Sequence, residues 1–124
     1  MALPVNARIQ AAQSFVRNVR SAQAFLQEQG SAEVRYAALL SQLNEAREHL
    51  RWNPAAGRPA RFLGANSAQG RTAAARATAL AAAHGVPQLR ELVVKPCLLL
   101  YAHGEDRVVL LALKHERQLV FQLA

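Results

Sequence analysis

The densest grouping of chemically able side chains is Lys114-His115-Glu116-Arg117, which follows an almost wholly apolar run at residues 108–113. Two cations, an imidazole and a carboxylate at a strand end could contact phosphate or move a proton. Arg90 stands earlier in the same C-terminal third, and Arg58, Arg61, Arg71 and Arg76 form a second series that could line a groove for nucleic acid or an acidic partner. Each group also has a plainer reading. His115 could make one structural hydrogen bond at a strand end, Glu116 and Arg117 could pair, and Arg90 could pair with Glu91, Glu105 or a helix carboxylate. The arginine series could be a solvated surface. His49, His84, His103 and His115 with Cys97 show no metal-ligand spacing, so no metal is expected. There is no nucleotide-type glycine loop and no G-x-S-x-G, and no cofactor is expected.

The balance of 15 Lys+Arg against 8 Asp+Glu gives a formal net charge of +7, and every cation except Lys95 and Lys114 is arginine. Planar guanidinium groups match phosphates and carboxylates, which points to nucleic acid or an acidic protein as partner. A soluble protein from an arginine- and alanine-rich proteome would show the same bias. Cys97 is the one cysteine, so no disulfide can form within the chain, as suits a reducing cytosol. No apolar stretch has the length of a membrane span, and MALPVNARIQ lacks the basic and apolar regions of a signal peptide. A cytoplasmic location without a membrane partner is therefore expected.

These residues need a scaffold. At 124 residues the chain fits a single domain. Residues 2–8 are a weak strand candidate. Residues 10–28 carry Ala12, Phe15, Val16, Val19, Ala22 and Leu26 at helical spacing, and Gly30-Ser31 separates them from a second helix at about 32–51. The apolar face of that helix is Tyr36, Leu39, Leu40, Leu43, Ala46 and Leu50. Pro54 stops it, and residues 53–66 read as a Pro- and Gly-rich loop. An alanine-rich helix at about 67–84 follows, with Ser67 as N-cap and Gly85 as stop, and is expected either to cap the sheet or to meet a partner. Residues 92–94, 97–102 and 108–113 read as strands, with Gly104-Glu105-Asp106 turning between the last two. The fold class is α+β: an N-terminal strand, a helical hairpin, an extra helix, then an antiparallel sheet of three to four strands. Val108 to Leu113 does not alternate apolar and polar, so both faces of the sheet need covers. The helix pair supplies one, and a second is expected from outside.

With these elements in order, the chain resembles the RelE/ParE superfamily of toxins from type II toxin–antitoxin systems. Asn53-Pro54-Ala55-Ala56-Gly57-Arg58 is similar to the "NPxxGR" link of ParE-like members. Leu89-Arg90-Glu91-Leu92 with Leu99-Leu100-Tyr101, Gly104-Glu105-Asp106-Arg107-Val108-Val109, and Leu113-Lys114-His115-Glu116-Arg117 are similar to the family's strand pair, hairpin and closing "I-x-H-x-R". The resemblance covers the chain except about 62–88. It implies a growth-inhibiting toxin neutralised by a small acidic antitoxin, with operator DNA bound only through the toxin–antitoxin complex. The antitoxin would cover the second sheet face at Leu98, Leu100, Val109 and Leu111. RelE-like members cut mRNA on the ribosome, whereas ParE-like members bind and poison DNA gyrase without chemistry.

Carried over residue by residue, the RelE arginine of "K-R-E-R" falls on His115, which could still serve as acid or base. The following tyrosine falls on Phe121. The strand arginine falls near Leu98, and of two lysines one position is matched by Arg90 while the other is Leu92 or Val93. Most of the RelE cationic set is thus replaced, which favours a ParE-like protein acting by binding through Arg90, Lys114, Arg117, Arg58 and Arg61. A ribonuclease using His115 and a non-toxic antitoxin-binding or homodimeric relative are the alternatives.

Overall fold

A computed structural model describes residues 6–28, 32–61, 67–115, 118 and 121–123. Its described residues form three α-helices and a five-stranded sheet, a mixed fold compatible with the α+β class. The order along the chain is β1 (Arg8–Ala11), α1 (Gln13–Glu28), α2 (Ala32–Trp52), a short 3-10 turn at Pro54–Ala56, β2 (Arg58–Pro59), α3 (Ala68–Ala83), β3 (Gln88–Val94), β4 (Cys97–His103) and β5 (Arg107–His115). In space the strands run β1-β5-β4-β3-β2. β1 is parallel to β5, and all other neighbours are antiparallel.

The first strand lies at Arg8–Ala11 rather than at 2–8, and α1 begins at Gln13 rather than at 10. Residues 2–5 lie outside the described residues. Parallel pairing with Arg107 to Leu110 decides the matter, because it sets Ile9 against the core beside Val108. Tertiary pairing here overrides the weak local preference of a short segment. The third strand starts at Gln88, four residues before the apolar run at 92–94, since its ladder with β4 continues through charged Arg90 and Glu91. The loop expected at 53–66 contributes the two-residue β2, giving the antiparallel part four strands.

Both sheet faces are buried, which explains the missing alternation. On one face lie Cys97, Leu99, Tyr101, Val108, Leu110 and Leu113, clustered with Phe15 of α1 and Leu39, Leu43, Ala46 and Leu50 of α2. Leu40, expected on that apolar face, is exposed. Leu100, Ala102, Val109, Leu111 and Ala112 form the other face, clustered with Ala77 and Ala81 of α3 and with Phe121. The second cover is therefore the chain's own. An alanine surface on α3 lets the helix lie close over β3 and β5 without needing bulky side chains of its own.

A bulge in β5 makes both faces work. Leu100 opposes Ala112 and Tyr101 opposes Leu110, so Leu111 is the extra residue. Leu111 and Ala112 then share the α3 face, while Leu110 and Leu113 both meet the helix pair. The carbonyl of bulged Leu111 accepts from the buried Ser14 hydroxyl, and Asn18 Oδ1 accepts from Leu113 N at 2.8 Å. Side chains of α1 thus take up the edge of β5 where β1 has ended.

Candidate functional site

The corner where the 53–61 segment meets β3 and β4 gathers most of the polar groups. Its centre is Tyr101, fully buried on the helix-pair face. The phenol donates to Pro54 O at 2.7 Å and accepts from Gly57 N at 2.9 Å. Burial raises its pKa above the ordinary tyrosine value, with the Gly57 hydrogen bond and the nearby Arg90 charge opposing the shift. Gly57 is required by space: a Cβ there would lie 2.6 Å from Glu91 O and 2.8 Å from the Tyr101 hydroxyl. The Asn53-to-Arg58 phrase is in this way a clip. Pro54 ends α2, Gly57 allows the close approach, and Arg58 locks the segment to the sheet.

The charged residues on β3 face opposite ways, as neighbours on a strand must. Arg90 lies on the face of Tyr101 and His103. Its Nε donates to His103 Nε2 at 3.0 Å and its Nη1 to Gly57 O at 2.9 Å. His103 Nδ1 lies 3.0 Å from Gly104 O. A carbonyl on one ring nitrogen and an incoming donor on the other fit the neutral Nδ1–H tautomer. Glu91 points the other way and is buried, with its Oε1 2.7 Å from Arg58 Nε and 3.7 Å from Arg61 Nε. One carboxylate so faces two guanidinium groups.

Lys114 and His115 stand apart from this corner. They pair with Leu98 and Cys97 at the start of β4, whereas Arg90 pairs with Tyr101 farther along it. Lys114 and His115 also point to opposite faces of β5. Lys114 Nζ donates to Gln118 O at 2.8 Å and sits 5.4 Å from the Phe121 ring centroid. The His115 backbone N–H donates to Gln118 Oε1 at 2.7 Å. Arg117, with Glu116, lies outside the described residues. Arg90 lines a cleft with Pro59, Thr78 and Leu89 that includes neither Lys114 nor His115.

The four residues expected to meet a partner are placed differently from that expectation. Leu100, Val109 and Leu111 have no exposed surface, because α3 and the Phe121 segment cover them. Leu98 is half-buried at the edge of that cover, and its neighbour Val93 is 51% exposed. A partner could reach this rim but not the centre of the face. Among the described residues no group of three His, Cys, Asp or Glu side chains is arranged to hold a metal ion. No helix among them is long and apolar enough to cross a membrane.

The sequence reading gave Gly57 and His103 no part in the site. The one available signal for Gly57 was its place three residues beyond a helix-stopping proline and next to an arginine. Nothing in the sequence marked His103 as the acceptor for Arg90. No protein-family model matches this chain, and no curated protein matches it.

Proposed function

We propose that this chain is the toxin of a bacterial type II toxin–antitoxin pair, ParE-like, held inactive by a small acidic antitoxin and acting by binding its target, DNA gyrase. The order strand, helical hairpin, antiparallel sheet, with the first strand parallel to the last, is compatible with a RelE/ParE-type domain carrying α3 as an insertion. The net charge of +7 favours an acidic partner.

The observation that carries binding over catalysis is the dispersal of the cationic residues. RNA cleavage needs a base and several cations converging on one phosphate. Here Arg90 is engaged by His103 and Gly57, Arg58 by Glu91, and Lys114 and His115 lie on opposite faces at another end of the sheet. Leu98 and Val93 form the apolar rim that the antitoxin would use, with Lys114 opposite Leu98 to meet its carboxylates.

Induction of the chain alone in a bacterial host, with parallel pulse labelling of DNA and protein synthesis, tests the proposal. Early loss of DNA synthesis with filamentation is expected, and His115→Ala should inhibit growth as strongly as the parent. Early loss of translation with cleaved mRNA, abolished in His115→Ala, would replace the binding reading by a ribonuclease.

A further inference from the structure

The sheet divides the charges of the molecule unevenly between its two sides. Four carboxylates, Glu28, Glu33, Glu45 and Glu48, belong to α1 and α2, and Glu105 and Asp106 to the turn before β5. On the side that carries α3, the one carboxylate among the described residues is Glu91, and it is buried. Five exposed arginines stand on that side. Arg71 and Arg76 belong to α3, and Arg58 and Arg61 come to Glu91. Arg8 joins them by strand alternation, because Ala7 and Ile9 pack with the helix pair and turn Arg8 the other way. Five guanidinium groups against one carboxylate leave 5 − 1 = +4. The helix pair, with Arg17, Arg20, Arg35, Arg47 and Arg51 against four carboxylates, has only 5 − 4 = +1.

The arrangement is wide. β1 and β2 are the two edges of the sheet, so Arg8 and Arg58 stand on strands about 19 Å apart. α3 lies between them, over β3 and β5. No single ion spans that distance, whereas a polyanion does. The outer positions of α3 are small as well as uncharged between its arginines: Thr72, Ala75, Thr78, Ala79, Ala82 and Ala83 are exposed. A protein partner would need large aromatic or aliphatic anchors, and among the described residues Val93, at the rim, is the one large exposed apolar residue on this side. Contacts to phosphate need only charge and hydrogen-bond donors. Unpaired bases are held by stacking on aromatic rings, and the exposed Trp52 belongs to α2.

We propose that the α3 side of the sheet is a docking surface for the phosphate backbone of a nucleic-acid duplex, contacted by Arg8, Arg58, Arg61, Arg71 and Arg76. The inference goes beyond the toxin reading and does not depend on it, since it rests on how the sheet divides the charges.

The test uses the full chain and a short fluorescein-labelled DNA duplex of mixed sequence. Anisotropy against salt should give a log–log slope of about −3.6, as for four phosphates neutralised. Arg8→Gln/Arg76→Gln should bring the slope to about −1.8 and weaken binding at least about tenfold at ~0.1 M salt. Both side chains are exposed and make no hydrogen bond or ion pair among the described residues, so the variant should melt with the parent. Arg35→Gln/Arg47→Gln removes the same charge from α2 and should leave affinity within about twofold, a change of only ~0.4 kcal/mol. An RNA duplex of the same sequence identifies the source: tighter binding of one form names it, and equal binding fits contacts to phosphate alone. The proposal is overturned if the two double variants weaken binding equally, or if neither duplex binds. It is also overturned if poly-glutamate binds more tightly than either duplex at equal salt, which would give the surface to an acidic protein.

Discussion

Replacing Tyr101 by phenylalanine isolates the clip that holds residues 54–57 on the sheet. The ring stays, so packing with Leu99 and Leu110 is retained, and only the hydroxyl is lost. That oxygen donates to Pro54 O and accepts from Gly57 N, and the site is shielded from water. Each bond contributes about 0.5–1.5 kcal/mol net, and a buried group left without a partner costs about 1–3 kcal/mol. Two groups are orphaned, so a loss of about 2–6 kcal/mol is expected from urea unfolding at pH 7. The same variant carries a pH signature. Burial raises the Tyr101 pKa above 10.0. In the unfolded chain the hydroxyl ionises first, so parent stability from this group is complete below about pH 10 and falls as pH rises toward the folded value. The slope cannot exceed about 1.4 kcal/mol per pH unit. Tyr101→Phe has no such group, so the gap between parent and variant should narrow above pH 10. A loss below about 0.5 kcal/mol at pH 7, the range of an unimportant surface change, would refute the clip. So would a gap that stays constant through the alkaline range.

Other substitutions test neighbouring parts of the fold. Gly57→Ala should lower stability by about 1–3 kcal/mol, because its Cβ meets the Glu91 backbone at 2.6 Å and the sheet cannot yield; thermal melting measures this. Glu91→Gln should cost about 1–3 kcal/mol by removing the charge-assisted bond to Arg58, and Arg58→Gln in that background should add little in a double-mutant cycle. Ala77→Leu should cost about 1–3 kcal/mol and speed amide exchange on the α3 face of β5, since Ala77 is fully buried where α3 lies over the sheet. Protection unchanged at Val109 and Leu111 would mean that α3 is not their cover.

Much of the scaffold was legible because its signals are local. Ser67 caps α3 by accepting from Gly70 N, and Gly85 ends it with φ +73, as the residue types require. Gly104-Glu105-Asp106 turns β4 into β5, and Cys97, Leu99 and Tyr101 share a buried face. What stayed hidden depends on distant partners. Arg8–Ala11 is a strand only because Arg107 to Leu110 lies beside it. The bulge at Leu111 cannot be read from six consecutive apolar residues, because every register of such a run buries aliphatic groups. The need for two covers was visible, but the sequence left open whether the alanine-rich helix caps the sheet or meets a partner. A helix poor in large apolar side chains gives a weak hydrophobic pattern even when closely packed.

The candidate site failed to assemble for a reason that strand geometry already contains. Arg90 and Glu91 adjoin in sequence, which invites pairing them, yet successive side chains on a strand point to opposite faces. Arg90 must therefore find partners beside Tyr101, and it finds His103 and Gly57. Glu91 must find them on the α3 face, and Arg58 and Arg61 come to it from β2 and the residues just beyond. The same alternation separates Lys114 from His115. A sheet with both faces covered so divides its charges between two environments. Cations dense in the sequence become structural ties on opposite sides, and a surface for binding has to be sought at the sheet's rim or along its edges.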